Sequence, residues 1–252
     1  MKESIKQVIR DLEKERSIRI LYACESGSRA WGFASPDSDY DIRFVYAHEK
    51  NWYLGLEEKK DFIDLFLPGD LDLSGWDLAK TLRLFAGCNL SLNEWLGSPE
   101  LYYEKGSFRE ELASLIPNYF NPRKALHHYL SMAGKVYEKH QSEGQIGIKK
   151  LFYVVRPLFC CAWILKNKSM PPTAFQAMLD SELATKEIVS EIESIRLQKE
   201  SALEGHQITI PPNLMSWIAR ELQDIEKIAG NMSGASKRNW QELDHFLLNW
   251  VS

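Results

Sequence analysis

The first hundred residues alternate between helical and strand-like patterns of hydrophobic positions. Apolar residues at helical spacing from Ile5 to Leu12 predict an amphipathic helix that ends in the charged run EKER. Alternation predicts strands over SIRILYAC and DYDIRFVYA, and in the second it places Asp39, Asp41, Arg43 and Val45 on one face and the apolar core residues on the other. Two apolar runs joined by a Pro-Gly-Asp turn predict a strand pair over DFIDLFLPGDLDL. From Trp76 the helical spacing returns, and Gly87 is the predicted stop of that helix.

The pattern changes after Pro99, where strand-like alternation disappears and long helical patterns take over. The first of these helices is predicted to open at Asn121-Pro122, because Asn can cap a helix and Pro fits its first position. The change predicts an α+β protein with a sheet-and-helix domain over residues 1–105 and an all-helical domain over residues 106–252. The helical stretches are PRKALHHYLSMAGKVYEKHQ, IGIKKLFYVVRPLFCCAWILKN, AFQAMLDSELATKEIVSEIESIRLQKE, NLMSWIARELQDIEKIAG and NWQELDHFLLNWV.

The composition is that of an ordinary globular protein. The chain has 252 residues, of which 44% are hydrophobic and 26% charged. No apolar run approaches the roughly 20 residues that cross a bilayer, and the N-terminus lacks the apolar core of a signal peptide. We therefore expect a cytoplasmic protein without a membrane span. The four cysteines form no CxxC pair, which disfavours a zinc site and a disulfide framework.

Charge is distributed unevenly along the chain. The net charge is −4, yet nine basic residues stand against two acidic ones between Arg123 and Lys168. A polyanion would be attracted to this region. A solvated basic helix face accounts for the same residues, and the pattern leaves both interpretations open.

One segment, GSRAWGFASPDSDYD, joins a strand and its turn to an acidic strand. Asp39 and Asp41, two residues apart on a strand, project to the same side, where they can bind hard cations such as Mg²⁺ together with phosphate oxygens. Gly27 permits close approach to the turn, and the backbone N–H groups and the Ser28 hydroxyl can meet phosphate oxygens where the next helix begins. A bare D-x-D occurs often by chance, so the order and the spacing make the segment informative.

In this order and spacing, the segment resembles the signature of the DNA polymerase β nucleotidyltransferase superfamily. Within it, the chain resembles the bacterial nucleotidyltransferases of the RNA repair pathway family (RlaP-like). The similarity extends over roughly residues 20–165 and is looser over the last eighty or so. It rests on GSRAWGFASPDSDYDIRF, LDLSGWDLAKTLRLFAGCNLSLNEWLGSP, HYLSMAGKVYEKH and IKKLFYVVRPLFCCAWI.

The resemblance implies a polymerase β-like mixed sheet and a third catalytic carboxylate on a neighbouring strand. The matching position is Asp72, which lies between two apolar strand residues and must face solvent, a metal or a partner. Asp64 and Asp70 remain alternatives to it. With Asp39, Asp41 and Asp72 as catalytic metal ligands, the implied cofactor is Mg²⁺ or Mn²⁺.

A second group of candidates lies in IGIKKLFYVVRPLF. Lys149, Lys150, Tyr153 and Arg156 recur at spacings of three and four, so one helix face can offer cations and an aromatic ring to a triphosphate or a base. The resemblance implies that this helix closes over the nucleotide. The alternative is that Tyr153 packs between helices while the lysines are solvated.

These observations predict a metal-dependent nucleotidyltransferase that transfers NMP from an NTP to an acceptor hydroxyl, with Gly27 and Ser28 holding the β- and γ-phosphates. The resemblance implies an RNA end as acceptor; a protein or a small molecule is the alternative. A catalytically silent nucleotide- or RNA-binding module on the same scaffold is the rival hypothesis, and the intact carboxylate set argues against it. The chain has no Walker motif, G-x-G-x-x-G, G-x-S-x-G or H-E-x-x-H.

Overall fold

The structure, a computed structural model, describes residues 1–140, 145–201, 206–232 and 238–251. Within these ranges every helix is too short or too polar to span a bilayer. The chain divides into two compact units, which are not consecutive stretches of sequence. The first comprises Met1–Ala30, Asp39–Tyr119 and Lys237–Ser252; the second comprises Trp31–Ser38 and Phe120–Ser236. The domain boundary at 105/106 stays a prediction, since compactness alone does not show which stretch folds independently.

A mixed five-stranded sheet forms the centre of the first unit. β4 runs parallel to β2, while the other neighbouring strands are antiparallel, in the order β3-β4-β2-β1-β5. Because β2 and β4 are parallel, both strands start at the same end of the sheet. Asp41 near the start of β2 therefore lies beside Asp72 near the start of β4. The strands are β1 (Arg19–Glu25), β2 (Tyr40–Ala47), β3 (Phe62–Leu67), β4 (Leu71–Asp77) and β5 (Leu101–Glu104).

Helices account for most of the remaining described residues. In chain order they are α1 (Lys2–Arg16), α2 (Gly27–Trp31), α3 (Lys50–Tyr53), α4 (Leu78–Ala86), α5 (Leu90–Leu96), α6 (Phe108–Ser114), α7 (Ile116–Tyr119), α8 (Pro122–His140), α9 (Ile148–Asn167), α10 (Phe175–Leu179), α11 (Lys186–Ser201), α12 (Pro212–Asn231) and α13 (Trp240–Val251). The second unit also contains a short antiparallel pair, β6 (Gln145–Gly147) and β7 (Gln207–Thr209). Together, the mixed sheet and the helical C-terminal part confirm the predicted α+β class.

The two faces of the sheet pack into two separate apolar clusters. Ile42, Phe44 and Tyr46 of β2 are buried with residues of α1 on one face. Val45 and Ala47 are buried with residues of α4, α5, α6 and α13 on the other. Side chains therefore alternate along β2 as predicted. Asp41 and Arg43 have the same parity as Val45 and lie on its side of the strand.

The second unit includes the loop that connects the glycine turn to the acidic strand. Phe33 is fully buried, and its ring stacks on that of Phe152 at 4.6 Å between centroids. The buried Lys199 donates a hydrogen bond from Nζ to Ser35 Oγ at 2.9 Å. Buried side chains thus anchor the loop Trp31–Ser38 in the packed core of this unit.

Two expectations beyond Pro99 are wrong. Strands do occur there: β5 pairs with β1, and β6 pairs with β7. Each has only three or four residues, too few for alternation to be recognised. The stretch AFQAMLDSELATKEIVSEIESIRLQKE is two helices, α10 and α11, rather than one. The chain leaves the helical path at Glu182, whose φ is 52°.

Candidate functional site

Two carboxylates face each other across the parallel strands β2 and β4. Asp41 and Asp72 are direct register partners, and their side chains are 30% and 40% exposed. Arg43 lies two residues after Asp41 on the same side of β2, and its Nη2 donates to Asp41 Oδ1 at 2.8 Å and to Asp72 Oδ2 at 2.9 Å. The guanidinium therefore offsets the repulsion between the two acids.

The Arg43 side chain is fixed by further contacts. Its Nη1 donates to the backbone oxygens of Ile42 at 3.2 Å and Asp72 at 3.0 Å. The side chain is 17% exposed. Because the same guanidinium bonds to both strands, it is a fixed part of the acidic site and not a mobile surface cation.

The glycine turn lies directly against Asp41. Gly27 has a φ of 59°, and a Cβ at this position would stand 2.1 Å from Asp41 Oδ2. The preceding N–H, that of Ser26, donates to the backbone oxygen of Asp41 at 2.8 Å. The Asp41 carboxylate thus approaches the Gly27 backbone closely, and the phosphate contact expected at this turn stays a prediction. Ser28 is buried, and the helix it enters has only five residues.

A buried acid at the end of β1 supports the same aspartate. Glu25 is 1% exposed, and its Oε1 accepts the backbone N–H of Asp41 at 2.7 Å. Its Oε2 accepts a hydrogen bond from the Tyr102 hydroxyl. Burial raises the pKa of Glu25 and the charge of Asp41 adds to this, against the opposing effect of the two hydrogen bonds. Glu25 thus holds the backbone of the acidic strand.

Asp39 is exposed and stands just before β2. Arg29 of the glycine-turn helix donates from Nε to the backbone oxygen of Asp39 at 3.1 Å. Its guanidinium lies over the Tyr40 ring, 3.9 Å from the centroid. Arg29 therefore links the helix after Gly27 to the start of the acidic strand.

The two alternative third carboxylates lie elsewhere. Asp64 is on the edge strand β3, with β4 between it and β2, and its Oδ1 accepts the Ser74 hydroxyl at 2.6 Å. Asp70 is in the turn between β3 and β4, where its φ is 57°. Asp72 is the one of the three that pairs directly with Asp41. Its assignment as the third catalytic carboxylate stays a prediction.

The helical candidates belong to the second unit. Lys149 is half-buried and Lys150 exposed in the first turn of α9. Tyr153 meets the Trp31 ring edge-on at 5.4 Å. Arg156 is 1% exposed, lies 4.4 Å from the Trp31 centroid and donates from Nη2 to the Thr173 backbone oxygen at 3.2 Å. Nucleotide binding by these four residues stays a prediction. Tyr153 and Arg156 pack against the Trp31 ring.

Three residues of this site were not assigned by the sequence reasoning: Glu25, Arg29 and Arg43. Arg43 shares the predicted polar face of β2 with Asp41, so alternation placed it near the acids. Glu25 follows the apolar run Ile20–Cys24 at the end of β1, and Arg29 lies within the motif itself. The positions of these two residues can be read from the chain order, but their hydrogen-bond partners cannot.

The donor set at β2 and β4 fits a hard divalent cation. Carboxylate oxygens are the ligands that Mg²⁺ and Mn²⁺ prefer. The missing Cβ of Gly27 makes room for Asp41 Oδ2 beside the turn. Within the described residues, no three His, Cys, Asp or Glu side chains converge closely enough to hold a metal ion as they stand. A cation at this site would share the carboxylates with Arg43 or displace it.

The order of strand, glycine turn, short helix and acidic strand beside a parallel partner is that of a nucleotidyltransferase of the polymerase β type. The chain belongs to RlaP, the RNA repair pathway DNA polymerase beta family, whose model matches residues 1–249. It is 37% identical over 254 residues to the "Uncharacterized protein YcgL" of Bacillus subtilis (strain 168), covering 100% of this chain and 96% of that protein.

A solved structure is similar at a lower level. It is the crystal structure of a nucleotidyltransferase-like protein from Exiguobacterium sibiricum 255-15, which is 12% identical and has a TM-score of 0.33. The match covers 90% of this chain and 74% of that one. At this score, the similarity does not bear on the site.

Proposed function

We propose that the protein is a divalent-cation-dependent nucleotidyltransferase that transfers NMP from an NTP to the hydroxyl of an RNA end. The observation that carries the proposal is the Asp41–Asp72 register pair on β2 and β4, in contact with the turn at Gly27. Membership of the polymerase β type supports the reaction class. The family's description as an RNA repair pathway family supports RNA as the acceptor.

Asp39, Asp41 and Asp72 bind the cation, which is Mg²⁺ or Mn²⁺. When bound, the cation neutralises phosphate charge and lowers the pKa of the attacking hydroxyl. The chain supplies geometry: paired strands hold Asp41 and Asp72, and Glu25 holds the backbone N–H of Asp41. Asp72 orients the acceptor hydroxyl, whose oxygen attacks the α-phosphorus as pyrophosphate leaves.

Gly27 and Ser28 bind the β- and γ-phosphates of the nucleotide. Lys149 and Lys150, in the first turn of α9, add positive charge for the triphosphate or for RNA. Tyr153 and Arg156 are the further nucleotide-binding candidates on α9, and their contacts with Trp31 position the loop Trp31–Ser38. We place this reaction in the cytoplasm.

The test is a transfer assay with each of four α-labelled NTPs, with and without RNA ending in a 3′-hydroxyl, in Mg²⁺ or Mn²⁺. We expect pyrophosphate release and labelled RNA, both lost in Asp41→Asn and kept in Asp64→Asn. If the label appears on the protein itself or on a small molecule instead, that molecule is the acceptor and the RNA assignment is wrong. Nucleotide binding without pyrophosphate release under every condition would support the silent binding module instead.

A further inference from the structure

We propose that Arg43 is a resident cation of the acidic site: it holds Asp41 and Asp72 together before a divalent cation binds, and it weakens the binding of that cation. The inference rests on the proposed function, because it takes the two aspartates as cation ligands. It adds a positioning residue that also sets the metal affinity of the site.

The geometry that supports this role is a single nitrogen shared by two acids. Arg43 Nη2 lies 2.8 Å from Asp41 Oδ1 and 2.9 Å from Asp72 Oδ2, so it occupies the space between the two carboxylates that would hold a cation. Ser74 is the register partner of Arg43, and its hydroxyl donates to Asp64. Three carboxylates thus stand on this side of β2, β4 and β3, and Arg43 bonds to two of them.

Arg43 opposes a divalent cation whichever oxygens that cation uses. A cation that binds Asp41 Oδ1 and Asp72 Oδ2 must displace Nη2. A cation that binds the other oxygen of each carboxylate stays within a few ångströms of the guanidinium, and like charges at that distance repel. Partial burial of the side chain reduces the screening by water.

A purely structural role for Arg43 predicts the opposite effect on metal binding. If the guanidinium only ordered the carboxylates, its removal would disorder them and weaken the site. If it competes with the cation, its removal strengthens binding, since the strands still hold the backbone of Asp41 and Asp72 in register. The sign of the change in affinity separates the two roles.

The experiment measures Mn²⁺ binding to nucleotide-free protein by the electron paramagnetic resonance of free Mn²⁺. We expect Arg43→Gln to bind Mn²⁺ about tenfold more tightly than wild type, because one positive charge is lost. Arg43→Lys keeps the charge, so we expect an affinity within about threefold of wild type. Asp72→Asn in the Arg43→Gln background should remove the gain.

The matched control is Lys80→Gln, because Lys80 bonds to Asp61 at 2.8 Å with side-chain exposures of 26% and 38%. Lys80→Gln removes one positive charge from a comparable salt bridge in the same unit, so it should leave the Mn²⁺ affinity unchanged. Thermal unfolding gives a second readout. Without metal, Arg43→Gln should melt below wild type, and saturating Mn²⁺ should raise its midpoint by more than that of wild type.

Equal or weaker Mn²⁺ binding by Arg43→Gln overturns the inference. If that occurs while wild type still transfers nucleotide, the inference fails alone and the proposed function stands. If wild type and variant both fail to bind Mn²⁺ and no transfer is detected, both fail. If Arg43→Gln does not fold, the Mn²⁺ affinity of Arg43→Lys decides the question. A change of more than about threefold from wild type contradicts the proposal that the charge of Arg43 sets the affinity.

Discussion

Replacing Gly27 by alanine tests whether the glycine turn exists to admit the Asp41 carboxylate. The new Cβ meets two costs. The φ of 59° is a left-handed conformation, which costs a non-glycine residue about 1–2 kcal/mol. The Cβ also stands 2.1 Å from Asp41 Oδ2, so the carboxylate must move by about 1 Å to reach an ordinary contact distance.

Moving the carboxylate disturbs its hydrogen bond to Arg43, which is 2.8 Å long and partly exposed. Weakening a charge-assisted bond of this kind costs about 1 kcal/mol. We therefore expect Gly27→Ala to lower the free energy of unfolding by about 2–3 kcal/mol and to abolish transfer. Urea unfolding followed by far-UV circular dichroism measures the first, and pyrophosphate release measures the second.

The chain offers a close control for the backbone cost at Gly106. Its φ is 56°, and an added Cβ would lie 3.6 Å from the Trp250 ring, an ordinary contact. Gly106→Ala should therefore cost about 1–2 kcal/mol and leave transfer intact. Asp41→Ala removes the overlapping oxygen but keeps the Cβ, which lies at 3.5 Å. In that background, Gly27→Ala should cost no more than Gly106→Ala.

Two results would refute this reasoning. One is an equal loss of stability in Gly27→Ala and Gly106→Ala. The other is an interaction energy between Gly27→Ala and Asp41→Ala within about 0.5 kcal/mol of zero, since residues in contact couple by more than distant ones. In either case, Gly27 would be needed only for the left-handed backbone of the turn, and the position of the Asp41 carboxylate would not depend on the missing Cβ.

Three further predictions concern the rest of the chain. Asp72→Ala should lower single-turnover transfer far more than nucleotide affinity, because its proposed role is to orient the acceptor hydroxyl in the transition state; if Asp64→Ala is the inactive variant, the assignment of the third carboxylate to Asp72 is wrong. Changing Lys149 and Lys150 together to alanine should weaken NTP or RNA binding and flatten its salt dependence. An unchanged slope would indicate solvated lysines. Burial raises the pKa of Asp77 above 3.8, so its contribution to stability is present below that value and lost as pH rises. Asp77→Asn keeps a capping oxygen, so the stability of this variant relative to wild type should increase from pH 4 to 7 in urea titrations. A constant difference would contradict that sign.

The elements that could be predicted from sequence are those with local patterns. Period-two alternation placed β2 and its polar face, because the buried residues Ile42 and Phe44 alternate with Asp41 and Arg43 within one strand. Asn121 was predicted as a cap, and its Oδ1 accepts the Lys124 N–H at 2.9 Å. Both features depend on contacts within a few residues, which the chain order contains.

Features that depend on the order of strands in the sheet could not be predicted from the pattern of hydrophobic and polar residues. Asp72 could be chosen over Asp64 from the sequence only by resemblance, because both stand among apolar strand residues. Their separation follows from β4 lying between β3 and β2. Likewise, Phe33 lies in the loop between α2 and β2, yet it is fully buried against Phe152, more than a hundred residues away. Such pairings are fixed by the fold.

Three hydrogen bonds and one close backbone contact fix Asp41 before any substrate is present. Glu25 accepts its N–H, Ser26 donates to its backbone oxygen, Arg43 donates to Oδ1, and the missing Cβ of Gly27 makes room for Oδ2. The two backbone bonds fix the position of Asp41 independently of Arg43, and a preorganised acid of this kind favours electrostatic catalysis. Three of the four residues lie in the short stretch 25–27, so the turn serves the aspartate as directly as it serves any phosphate. A variant that disturbs this stretch should therefore affect cation binding together with nucleotide binding.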